Sequence, residues 1–136
     1  MAGPIIRSYR DLVVWQKGMD LVDACYALTR SFPSSERFAL ADQIRRAAVS
    51  IVANIAEGHG RSGTGSYLYH LSVARGSLRE LETLLLISQQ PAHADGDTYA
   101  TLTRATDGIG RMLFSLSARV AASKAHGVPV ILKPEP

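Results

Sequence analysis

Apolar residues recur along this chain at helical spacing almost throughout. From Asp11 to Arg30, the positions Leu12, Trp15, Met19, Val22 and Tyr26 alternate steps of three and four. That alternation keeps one face of a helix apolar, and Val14, Leu21, Cys25 and Leu28 widen the stripe. A wide stripe implies packing on more than one neighbour. Pro33 breaks the pattern, and Ser34, Ser35 and Glu36 offer a helix start with acid in its first turn. Leu40, Ile44, Ala48, Ile51 and Ile55 form the next seam, with an interruption expected near Leu40. Gly58 is the expected stop, because glycine accepts the left-handed conformation that closes a helix. Gly58 to Gly65 reads as a flexible turn.

The third seam, Tyr67, Leu71, Ala74, Leu78, Leu81, Leu85 and Ser88, keeps the same alternation over three heptads. The fourth is Tyr99, Leu102, Thr106, Ile109, Leu113, Leu116 and Val120, with Asp97 as its cap. Sustained heptad spacing predicts near-parallel packing with knobs in holes. Gly108 and Gly110 each weaken the fourth helix by about 1 kcal/mol relative to alanine, which a close helix crossing would justify. The pattern therefore predicts helices over about 9–31, 36–57, 66–89 and 98–125. Together they make a single all-α domain over residues 1–126, an antiparallel up-down-up-down four-helix bundle. Residues 127–136, rich in proline, read as an irregular tail.

Composition agrees with one domain. The 136 residues are 46% apolar and 20% charged, which excludes a disordered chain. No apolar run approaches the ~18 residues of a membrane span, and the first residues are too short in apolar length for a secretory signal. A lone cysteine, Cys25, cannot form an intramolecular disulfide. These features predict a soluble protein of a reducing compartment.

The net charge of +3 is modest, but its distribution is uneven. The basic side is arginine-dominated, with only Lys17, Lys124 and Lys133 besides. Arginine suits planar contact with carboxylate or phosphate. Residues 37–79 carry a net +4 through Arg37, Arg45, Arg46, Arg61, Arg75 and Arg79, whereas 80–96 carry −3. Solvated faces and intramolecular ion pairs are the plain alternative.

Catalytic and metal patterns are lacking. A di-metal bundle needs Glu-x-x-His pairs, and His59, His70, His93 and His126 fall singly or in loops. No metal or cofactor is expected. Cys25 lies on an apolar arc without a histidine one turn away, so it reads as a small hydrophobe. The glycine-rich turn lacks the Gly-Lys-Ser/Thr of a phosphate loop, though Arg61 and free N–H groups there could hold an anion.

The second helix carries a polar stripe, Gln43, Ala47, Ser50, Asn54 and Glu57. Arg46 from the same helix and Glu80 from the next are assigned with it to a structural polar zipper. Gly76, Ser77, Glu80 and Thr83 are possible complements, and Arg75 or Arg79 could pair with Glu57. Small flanks, Ala47-Ala48-Val49 and Ile51-Val52-Ala53, leave little room for an exposed face, which predicts burial against a neighbouring subunit.

The same residues carry a family likeness. Tyr9-Arg-Asp-Leu12-Val-Val-Trp15-Gln-Lys17, Phe32-Pro33, Gln43-Ile-Arg-Arg-Ala47, Asn54-Ile-Ala-Glu-Gly58 and Leu71-Ser-Val-Ala74-Arg-Gly-Ser-Leu78-Arg-Glu80-Leu-Glu-Thr83 are the matching elements. Over about residues 9–88 the chain resembles the small four-helix proteins encoded in intervening sequences of bacterial 23S ribosomal RNA genes. Gly18 stands where alanine is common among them. The resemblance implies a cytosolic four-helix bundle that assembles into a homopentamer around a central channel. A related branch is the accessory variability protein of diversity-generating retroelements, which works with a reverse transcriptase and nucleic acid.

The function expected from these readings is non-enzymatic: an oligomer that binds RNA or DNA through Arg37, Arg45, Arg61, Arg75 and Arg79. Arg104, Arg111 and Arg119 form a second surface, and Tyr67 and Tyr69 are aromatic candidates for stacking. The alternative is a protein-interaction scaffold, for example accessory to a reverse transcriptase, with no direct nucleic-acid role; no membrane partner is expected for either.

Overall fold

The computed structural model describes residues 5–90 and 95–125, with side chains at all of these except 36–38, 124 and 125. The expected tail, 127–136, lies outside the described residues, as do His93 and His126. Among the described residues there is no strand. The first expected helix divides at Leu12. Tyr9–Asp11 is a 3-10 turn, and α1 runs Val13–Arg30. The Asp11 carboxylate accepts from the backbone N–H groups of Arg7 at 2.8 Å and Ser8 at 3.1 Å, while the Ser8 hydroxyl accepts from Arg10. This box ties off the turn and holds the Asp11 carboxyl below its ordinary pKa, chiefly through those backbone bonds. Leu12 is then extended, and its side chain enters the core.

After Pro33, a single turn α2 (Ser34–Glu36) leads into a π-helical turn, Arg37–Ala41, before α3 (Asp42–His59). The interruption thus brackets Leu40. Widened turns of this kind accommodate an extra residue within a helix. α4 spans Thr64–Gln89 and α5 spans Gly96–Ala125. At 1.5 Å per residue, α4 alone is about 39 Å long.

The four long helices form a ring. α3 lies between α1 and α4, and α5 lies between α4 and α1. Their apolar stripes meet in one core containing Leu21, Ile44, Ile51, Ile55, Leu71, Leu78, Leu81, Ile109, Leu113 and Leu116. Two hydroxyls complete it: Ser88 donates to the Leu85 carbonyl, so Tyr99 donates to Ser88 across the α4–α5 seam at 2.9 Å.

Gly58 does different work from that expected. Gly58 is not a left-handed stop. α3 continues to His59, its C-cap Gly60 has helical φ of −77°, and Gly58 is buried inside the helix. A Cβ on Gly58 would lie 2.8 Å from His70 Cβ and 3.1 Å from Tyr67 Cδ1. Close approach of α4 explains this glycine. Gly18 is similar, since a Cβ there would lie 2.6 Å from Val52 Cγ1.

The glycines of α5 are the reverse. No close crossing surrounds Gly108: only Arg111 Nη2, at 3.9 Å, lies within reach of an added Cβ. Gly108→Ala is therefore expected to stabilise the protein by about 0.5–1 kcal/mol. Thermal denaturation should show a midpoint raised by about 2–5 °C.

Candidate functional site

The polar stripe of α3 meets α4 within the chain. Asn54 Nδ2 donates to the Ser50 carbonyl at 2.9 Å and to Ser50 Oγ at 3.3 Å. Its Oδ1 therefore faces His70 Nδ1 at 3.1 Å, which makes Nδ1 the protonated ring nitrogen. Ser50 Oγ continues the chain to Ser77 Oγ at 2.7 Å. Ser77 is the complement the sequence suggested, and His70 is the member it did not. Glu57 pairs with Arg61 at 2.6 Å, one turn away on the same side, rather than with Arg75 or Arg79. That bond is the main cause of the lowered Glu57 pKa. Gln43, Arg46 and Glu80 are exposed, and Arg46 pairs with Asp42 at 3.2 Å. They stand outside the network.

The small residues of α3 are also accounted for internally. Ala47, Ala48, Ile51, Val52 and Ile55 are buried by the chain's own helices, leaving Val49 and Ala53 outward. Most of the surface of this helix therefore needs no second subunit to cover it, contrary to the expectation from its small flanks. The network's strength is open to test. Asn54→Leu would strand the Nδ1–H of nearly buried His70, an orphaned donor that costs about 1–3 kcal/mol. Urea denaturation should show a lower midpoint with an unchanged slope.

The arginines occupy distinct places. Arg45 bridges α3 to α1: its Nε donates to Thr29 Oγ1 at 2.8 Å, and its guanidinium lies 5.1 Å from the Tyr26 ring centroid. Arg61 is held by Glu57 at the α3 end. The side chain of Arg37 lies outside the described residues. Arg104 bonds Thr101, and Arg119 bonds Ser115. Tyr67 is buried, whereas Tyr69 is exposed and packs edge-on against His70.

Arg75 and Arg79, by contrast, converge with Arg111 across the α4–α5 seam. They line an open cleft of about 400 Å³ together with Asp107, Gly110 and Phe114. Successive turns of α4 place Arg75 and Arg79 on one face, and Gly110 and Phe114 stand one turn apart on α5. The Arg75 guanidinium lies 5.9 Å from the Phe114 ring centroid. Arg79 bonds Glu82 at 2.6 Å through Nη1, and its Nη2 lies 4.0 Å from where a Gly110 Cβ would stand. Three guanidinium groups against two acids leave the cleft basic. Of the five arginines singled out in the sequence, the structure gathers two and joins them to Arg111.

Residues 10–115 match the family described as 23S rRNA-intervening sequence protein. The chain belongs to that family. In structure it is similar to a protein of unknown function from the S23 ribosomal protein family of Bacteroides thetaiotaomicron VPI-5482, with a TM-score of 0.72 and 22% sequence identity. The match covers 77% of this chain and 98% of the other. That likeness is one of fold. No curated protein matches the chain.

Burial pushes the Cys25 thiol up to about 12, so it stays protonated and unreactive at neutral pH. Among the described residues no cluster of three or more His, Cys, Asp or Glu could hold a metal, and no helix is long and apolar enough to cross a membrane.

Proposed function

We propose that this protein is a non-enzymatic, oligomeric four-helix bundle that binds nucleic acid through the arginine cleft between α4 and α5. The observation that carries this reading is the convergence of Arg75, Arg79 and Arg111 beside an exposed phenylalanine. Guanidinium groups from two rigid helices present several donors at fixed separation, which suits successive phosphates. The family's name connects its members with 23S rRNA intervening sequences, which fits a nucleic-acid partner.

The up-down-up-down course is part of the reading. The contacts Ser50–Ser77 and Asn54–His70, and likewise Ser88–Tyr99 and Arg75–Phe114, pair later residues of one helix with earlier ones of the next. Opposed neighbours have that register. Assembly as a cytoplasmic homopentamer follows from the family resemblance. Met19, Tyr26 and Val49, partly exposed on the α1–α3 side away from the cleft, would supply one of the two faces that a ring contact joins. Five copies would multiply the charge of each cleft into a ring.

A second reading, a protein-interaction scaffold such as a reverse-transcriptase accessory, is favoured by one feature. Leu86 and Ile87 stand exposed near the end of α4. Fluorescence anisotropy with a structured RNA at several salt concentrations separates the two. The cleft reading expects binding that weakens steeply as salt rises. Binding without a salt slope would contradict it.

A further inference from the structure

Resting on the nucleic-acid reading above, we infer that the α4–α5 cleft takes single-stranded nucleic acid, with an unpaired base stacked on Phe114 and flanking phosphates on Arg79 and Arg111. Phe114 is 65% exposed, in a helix whose other large apolar residues mostly face the core. It lies beside three guanidinium groups, one of which, Arg75, already packs over the ring. An exposed aromatic within a basic groove is the arrangement that binds single strands, because every unpaired base offers a π-face. The bases of a duplex are stacked on one another and cannot present a face to the ring. The choice of strand thus follows from Phe114, while the arginines alone would accept either.

Gly110 supports the same use. An added Cβ there would meet Leu78 Cδ2 at 3.5 Å and Arg79 Nη2 at 4.0 Å, both ordinary contacts. Core packing therefore does not demand glycine at this position, even though glycine weakens the middle of α5. What glycine does is leave the cleft floor clear between Arg79 and Phe114. Asp107, the acid lining the cleft, supplies an acceptor for the N–H groups of a base and has no use for a phosphate.

The experiment compares an unstructured adenine-rich 12-nucleotide RNA with the same strand in a duplex, by fluorescence anisotropy at fixed salt. The single strand should bind at least about tenfold more tightly. Phe114→Ala should lower single-strand affinity by about tenfold and leave duplex affinity unchanged. Gly110→Met, which fills the floor, should also weaken single-strand binding while keeping a thermal midpoint at or above that of the parent. Equal affinity for the two RNAs, together with no effect of Phe114→Ala, would overturn the stacking inference and leave the arginine reading standing. Binding to neither RNA would overturn both.

Discussion

Gly58→Ala is expected to destabilise the bundle by about 1–3 kcal/mol, although alanine is the better helix former. The propensity gain of about 1 kcal/mol is outweighed because of what the new methyl would meet. Its neighbours are His70 Cβ at 2.8 Å, Tyr67 Cδ1 at 3.1 Å and the Tyr67 carbonyl oxygen at 3.4 Å. A Cβ and a carbonyl move only with their backbone, so α3 and α4 must separate. Separation would also stretch the His70–Asn54 bond and weaken the polar chain behind it. Against the 5–15 kcal/mol typical of a folded domain, such a loss is large. Thermal unfolding should show a midpoint lower by about 5–10 °C. An unchanged or higher midpoint would mean that Gly58 is not needed for the approach of α4.

The second large effect is on binding. Replacing Arg75, Arg79 and Arg111 together by glutamine should weaken affinity for a nucleic acid by roughly a hundredfold at moderate salt, uniformly across sequences. Glutamine is shorter but polar and has similar helix propensity, and all three positions are exposed, so the fold should survive. Replacing Arg45 and Arg61 instead should change affinity little. Neither lines the cleft: Arg45 packs on Thr29 and Tyr26 of α1, and Arg61 stands beside Glu57 at the end of α3. Filter binding on the two variants side by side decides which arginines the ligand meets. A larger loss from the Arg45 and Arg61 pair would move the site to the opposite side of the bundle.

Much of the fold is legible in the sequence because one physical signal, apolar spacing of three and four, repeats in each long helix. Leu71, Leu78 and Leu81, or Ile109, Leu113 and Leu116, are buried where that spacing puts them. The exceptions have local causes that spacing does not report. The division at Leu12 comes from the Asp11 carboxylate taking two backbone N–H groups. Gly58 carries the composition of a helix stop, but its reason is a neighbour distant in sequence, which only packing reveals.

The candidate site was harder to read for the same reason. Arg75 and Arg79 stand out as a basic pair on one helix face, but their companions Arg111 and Phe114 are about 35 residues away. The alignment of α4 with α5 brings them together, set near the connection by Ser88 and Tyr99. His70 was equally hidden as a lone histidine, until Asn54 gave it a partner. Conversely, the contacts of Arg45 with Thr29 and Tyr26 leave no pattern in the sequence, whereas the Glu57–Arg61 pair is legible as an i, i+4 spacing.

The central claim, that the α4–α5 arginines hold phosphates, is tested most directly by the slope of log affinity against log salt. The parent protein and the Arg75/Arg79/Arg111 glutamine variant should be measured on one single-stranded RNA between about 50 and 200 mM salt. Each phosphate contact on a single strand contributes about 0.7 to that slope, so with phosphates on Arg79 and Arg111 the variant should be shallower by about 1.4. A variant with the parent's slope and affinity would contradict the account.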